Sequence, residues 1–258
     1  DTDDLKMEKL ANIDEEYSKD EALKGVIDIS EKYKRWINEQ EIDAESLSSE
    51  HQLTAKKHIS SAKNWQKRIE KGMQILKNDE DASLAFRLAN HAMLIQANRL
   101  DLLERKKPNE EIKCSKTDFF EDLKQKNHKK ITYSWRPFQL AFVVGIIPEI
   151  VNPETEQYRD EVDLIWFPTG GGKTEAYLGV LAFSILYRRI LNPNDVGVVA
   201  LMRYTLRLLT SDQFRRSSAL ICALNYIRTE KILNVDIGDQ DISIGLWIGS
   251  KGNPSTHA

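Results

Sequence analysis

Val162-Asp163-Leu164-Ile165-Trp166-Phe167-Pro168-Thr169-Gly170-Gly171-Gly172-Lys173-Thr174 runs from an apolar stretch through three consecutive glycines into Lys-Thr. Val162 to Phe167 reads as a buried strand, and Lys173 to Ile190 as a helix. A strand, a glycine turn and a helix in that order form the setting of a phosphate-binding loop, because glycine lets the backbone N–H groups turn inward at a positive helix N-terminus. The implied ligands are ATP and Mg²⁺. Thr169, Gly170, Gly171 and Gly172 would cradle the phosphates, and Lys173 would place its ammonium on the β and γ phosphates. The Thr174 hydroxyl would take a coordination position on Mg²⁺, which makes Lys173 and Thr174 the catalytic candidates. The motif departs from the full G-x-x-x-x-G-K-[ST] form, because Phe167 stands where its first glycine belongs. A glycine-rich turn that binds nothing would need neither Lys173 nor Thr174.

Outward from the loop the pattern alternates. Downstream, Asn192 to Asp195 is a turn, Val196 to Met202 a second strand, Thr205 to Glu230 a long helix, and Ile242 to Ile248 a third strand. Upstream, Arg136 to Ile147 reads as a helix ended by Pro148. This βαβαβ order implies an α/β domain with a parallel sheet from residue 131 to 258. Residues 1–130 are different: 25 Lys+Arg stand against 27 Asp+Glu with few β-branched runs, which predicts an all-helical, charged domain. Between His51 and Lys77, Ala62, Trp65, Ile69, Met73 and Leu76 fall at the spacing of one helix face. From Ala82 to Leu103 two apolar stripes predict the most buried helix, with N-cap candidates at Asn78 to Asp81 and its end marked by Pro108. Asp118 to Lys130 reads as a shorter, polar helix.

Composition narrows the class. The 258 residues are 41% hydrophobic with a formal net charge of −3 and a pI near 6.0, so any nucleic-acid contact has to be local. Cys114 and Cys222 form no CxxC and sit beside no Cys/His cluster, which argues against a disulfide scaffold and a structural zinc site. His51 and His58 share a rough helical face but find no third ligand. No apolar stretch is long enough to span a bilayer and no leader opens the chain, so a cytoplasmic protein without membrane contact is expected. A start at Asp1 and a stop at Ala258 read as cuts in a longer polypeptide.

Two further segments suggest the kind of ATPase. Trp135-Arg136-Pro137-Phe138-Gln139 lies upstream of the loop, and a carboxamide there can both donate to and accept from one adenine edge. This resembles the Gln-containing segment of superfamily 2 helicases, which implies that Gln139 and Arg136 contact adenine or its surroundings. The alternative is that Phe138 and Leu140 only pack the helix. After the second strand, Met202-Arg203-Tyr204-Thr205-Leu206-Arg207-Leu208-Leu209-Thr210-Ser211-Asp212-Gln213 is similar to the helicase motif P-T-R-x-L-x-x-Q, with Met202 and Arg203 in place of Pro-Thr. On that resemblance Arg203, Tyr204, Thr205, Arg207 and Gln213 hold a nucleic-acid backbone, sequence-independently. From Arg188 to Arg228 seven Arg face two Asp, a local balance of +5. Arg215, Arg216 and Arg228 read as solubilising charges on an amphipathic helix, and Arg203 and Arg207 as the contacts.

Trp166 to Gly179, Met202 to Thr210 and Ile244 to Gly249 together resemble the large helicases of the DISARM antiphage defence system, the DrmA group. Ala85 to Asn90 adds a weaker likeness upstream. The resemblance implies a much longer protein with two RecA-like lobes, residues 131–258 forming the N-terminal part of the first. It also implies action on phage DNA and a companion protein from the same operon. What hydrolysis requires beyond the loop is missing: no apolar strand after Lys173 ends in Asp-Glu, Asp236 follows a stretch with Asn inside it, and Asp160-Glu161 precedes the loop. The segment is therefore expected to bind nucleotide without turning it over. Two other readings stay open: a P-loop ATPase of another class, signalling or kinase-like, and a partner-docking module in which the loop is structural.

Overall fold

The computed structural model describes residues 2–105, 133–154, 157, 160–166, 172–203 and 207–247. The expected helix at Asp118–Lys130 and its neighbour Pro108 lie outside the described residues, as do Phe167 to Gly171, Tyr204 to Leu206 and Ile248 onward.

Up to Arg105 the described residues are largely helical, in keeping with their composition. A short 3₁₀ turn (Thr2–Leu5) and α1 (Met7–Ala11) lead to α2 (Lys19–Ala22), α3 (Lys24–Glu45), α4 (Ser49–Asn78) and α5 (Glu80–Arg105). Helix α2 opens with a capping box in which the Ser18 amide donates to Glu21 Oε2 at 2.9 Å. Helix α5 begins where Asp79 Oδ1 accepts from the Ala82 amide at 2.9 Å, inside the window expected for its cap. Most of its apolar face is buried: Ala82, Ala85, Phe86, Leu88, Ala89, Ala92, Met93 and Ile95 belong to the core, while Leu84 and Leu100 are half-buried.

Further along, the described residues form α6 (Pro137–Val151), α7 (Lys173–Leu191) and α8 (Arg207–Thr229). Helix α4 packs on α6, and α5 lies against both α7 and α8, so α5 is covered from several sides. Pro148 does not end α6, which continues through it to Val151. The reason lies in a neighbouring helix. A proline at 148 cannot donate to the Val144 carbonyl, and that oxygen instead lies against Gly72 of α4. A Cβ added at Gly72 would meet it at 2.0 Å, so glycine allows the two helices to approach there. Among the described residues no helix is long and apolar enough to cross a membrane.

The described residues do not form the expected parallel sheet. Among the described residues no strand forms, and the one β-type pairing is an isolated antiparallel bridge between Lys6 and Ser134. The expectation of an α/β class with a RecA-like sheet over 131–258 is therefore corrected: among the described residues the architecture is all-helical. The segments expected as strands lie outside any strand or helix where they are described; Ile242 is buried, but Leu164, Val198 and Leu201 are exposed, as are Trp166 (86%) and Trp247 (95%). A strand leaves its backbone groups unsatisfied until a neighbour supplies partners, and here side chains supply what pairing exists. Asn225 of α8 accepts from the Ile242 amide at 2.9 Å and donates to the Ile242 carbonyl at 2.6 Å. Arg188 donates to the Val198 carbonyl at 3.2 Å. Asp163 is held by Arg68 of α4 through two bonds of 2.7 Å.

Candidate nucleotide site

Helix α7 opens the site. Its N-cap is Gly172, with φ +83° and ψ 31°, and no side chain caps the helix. This is the left-handed region that glycine enters without strain. A Cβ there would also lie 2.5 Å from Gln139 Nε2, so both backbone and space require glycine. Lys173 and Thr174, the next two residues, form the first turn of α7 and are half-buried. Among the expected phosphate ligands, Gly172, Lys173 and Thr174 are thus placed together, while Thr169, Gly170 and Gly171 lie outside the described residues. The donor set suits a magnesium-bound triphosphate: a positive helix end without a side-chain cap, an ammonium and a hydroxyl at its start.

The upstream segment reaches the same point. Arg136 is the N-cap of α6, and Gln139, two residues after the N1 proline Pro137, is buried. Gln139 Oε1 accepts from the Arg136 amide at 2.8 Å and Nε2 donates to the Gly172 carbonyl at 2.7 Å. The carboxamide therefore ties the start of α6 to the end of the glycine turn. Trp135, just before it, is buried and donates its indole N–H to Asn90 Oδ1 of α5 at 2.7 Å. Phe138 lines an aromatic cavity of about 870 Å³ with Tyr33, Trp65, Phe142, Leu164 and Trp166.

On the far side, residues 196–203 and 241–247 enclose a groove of about 920 Å³ over α7 and α8. Arg203 is exposed at its edge and Gln213 lines it, with a buried Oε1 that no donor reaches. Tyr204 and Thr205 lie outside the described residues, and Arg207 is the first residue of α8. The surrounding arginines are used internally more than their count suggests. Arg188 makes a forked pair with Asp195 at 2.8 and 2.6 Å, and holds that carboxyl below its usual range. Arg189 is buried and donates to the carbonyls of Ile237 and Gln240. Arg228 binds Asp241 and the Asp239 carbonyl. Arg216, read from sequence as a solubilising charge, pairs instead with Glu175 in the first turn of α7.

Glu175 and Arg68 are the residues that sequence reasoning passed over. Glu175 follows Lys173-Thr174 directly, yet only α8 coming alongside gives its carboxylate a partner. Arg68 lies 95 positions from Asp163. It also binds Glu149 of α6 at 2.9 Å and stacks its guanidinium over Trp65 at 4.1 Å. No local spacing signals a contact over that distance; the one available hint is an Arg on the apolar side of an amphipathic helix.

No family profile matches the chain. Sequence comparison finds the DISARM protein DrmA of Bacillus paralicheniformis, 34% identical over 239 residues. Over that stretch the chain is similar to DrmA. The match takes in 90% of this chain, and the chain spans about a fifth of DrmA's length (20%). The alignment is long enough to draw in both the helical first half and the glycine loop, so the likeness to DrmA does not rest on the loop motif alone.

Proposed function

We propose that this chain is the ATP-binding part of a nucleic-acid-dependent motor that acts in DISARM antiphage defence. The observation that carries the proposal is the start of α7: a left-handed Gly172, no side-chain cap, then Lys173 and Thr174. In this reading the backbone of Thr169 to Gly172 and the Lys173 ammonium hold the phosphates, and Thr174 holds Mg²⁺. The metal supplies neutralisation of phosphate charge. Gln139, buried and engaged at both ends of its carboxamide, would keep Gly172 in register with α6 instead of reading the adenine itself, and Arg136 beside it would meet the base or its surroundings. Arg203, Tyr204, Thr205, Arg207 and Gln213 would contact a nucleic-acid backbone, DNA in a phage-defence role. The likeness to a DISARM protein supports the defence setting; a companion protein from the same system and a cytoplasmic place of action belong to the proposal. Full turnover belongs to the longer protein, because the acid and the second-lobe arginine that hydrolysis needs have no candidate in this chain.

The test is ATP hydrolysis by the full-length protein with and without DNA, comparing wild type with Lys173→Ala. DNA should raise hydrolysis, and the substitution should lower it by at least 100-fold, on the order of what loss of a charge-stabilising group costs. Hydrolysis that ignores both DNA and RNA would favour a P-loop ATPase of another class. Hydrolysis that survives Lys173→Ala would remove the loop from the mechanism.

A further inference from the structure

Glu175 is an awkward neighbour for a triphosphate. It stands in the first turn of α7, two residues after Lys173, where a carboxylate suits the helix dipole but repels an anionic ligand. One of its oxygens pairs with Arg216, which reaches across from α8. The other, Oε2, is buried without a hydrogen-bond donor and lies 3.3 Å from where a Cβ on Gly172 would be. The carboxylate therefore sits beside Gly172, and Arg216 of α8 pairs with it.

Arg216 is itself held in place. Its backbone carbonyl accepts from Gln96 Nε2 of α5 at 3.4 Å, and α5 packs along α8. The guanidinium thus has a fixed origin, while the helix that carries it begins at Arg207 and includes Gln213, in the segment expected to meet nucleic acid. Any displacement of α8 would change how well Arg216 covers Glu175, and so change the charge presented to the phosphate site.

From this we infer that Arg216 is a positioning residue for nucleotide binding: by pairing with Glu175 it offsets a carboxylate beside the phosphate loop, and it links that loop to α8. The inference rests on the nucleotide reading above. It assigns to Arg216 an effect on affinity that passes through Glu175, which a double-substitution cycle isolates.

The experiment measures binding of a fluorescent ATP analogue with Mg²⁺ to the full-length protein, for wild type, Arg216→Ala, Arg216→Lys, Glu175→Gln, Glu175→Gln/Arg216→Ala and Lys173→Ala. Arg216→Ala should weaken binding about tenfold, since an unpaired carboxylate then faces the triphosphate within a few ångströms. Arg216→Lys should recover most of the loss. Glu175→Gln should tighten binding a few-fold, and the double substitution should return to within about twofold of wild type. A double variant as weak as Arg216→Ala would overturn the inference, because the loss would then not pass through Glu175. So would an Arg216→Ala protein that binds like wild type while Lys173→Ala does not. If Lys173→Ala binds as wild type does, or wild type does not bind, the nucleotide reading fails and takes this inference with it.

Discussion

The interior helices and the extended segments have similar apolar content and opposite fates. On α5, Leu88 is fully buried, and Phe86 and Met93 are nearly so; on the segment before the glycine loop, Leu164 is 81% exposed. A helix satisfies its own backbone hydrogen bonds, so one apolar stripe is enough to dock it. An extended chain satisfies none of them alone and needs a neighbour at both edges. Apolar pattern therefore signals burial only where the element can be completed locally.

Arg68 joins the two regions, and removing it should produce the largest effect. Its guanidinium is buried against Glu149 and Asp163, which fastens the extended segment to α4 and α6. Arg68→Ala leaves buried carboxylates uncompensated and should cost about 3–5 kcal/mol, read as a lower urea midpoint for this chain. A loss under about 1 kcal/mol would mean that the ion pair behaves as an exposed one and that the segment is not fastened.

The contrast itself is tested by truncating matched leucines. Leu88→Ala should cost about 3 kcal/mol, through lost burial and the cavity left behind. Leu164→Ala should stay within about 0.5 kcal/mol, as an exposed site does. Equal costs would show that the segment is covered and the comparison mistaken.

A smaller effect, confined to acid pH, belongs to the helical region. Burial pushes His91 of α5 from 6.5 down to about 4. The folded state thus keeps this imidazole neutral, while the unfolded chain takes up a proton below pH 6.5. Its contribution is fully present above pH 6.5 and is lost as pH falls towards 4, by about 2–3 kcal/mol. His91→Gln should remove that part of the acid loss, so the stability difference between the two proteins should change between pH 6.5 and 4 and stay constant above 6.5. A constant difference across the whole range would show that His91 is solvated.

Much of the site was legible locally. Gly172, Lys173 and Thr174 are adjacent, and a left-handed glycine capping a helix depends only on near neighbours. Gln139 was singled out for its carboxamide, but the Gly172 carbonyl it holds lies 33 positions away and emerges only from folding. The arginines were misjudged as a group for the same reason. A count of +5 treats them as one surface, whereas Arg188, Arg189, Arg216 and Arg228 each find an internal partner.

The sequence by itself determined where α4, α5, α7 and α8 run, the cap at Asp79 and the glycine cap before Lys173-Thr174, because each depends on neighbours within a few residues. Only the tertiary structure decided that the apolar segments at 162–166, 196–202 and 242–247 stay unpaired, that α6 passes through Pro148 against Gly72, and that Arg216 reaches Glu175. Those outcomes depend on which backbone or charge another element brings alongside, and no local spacing encodes it.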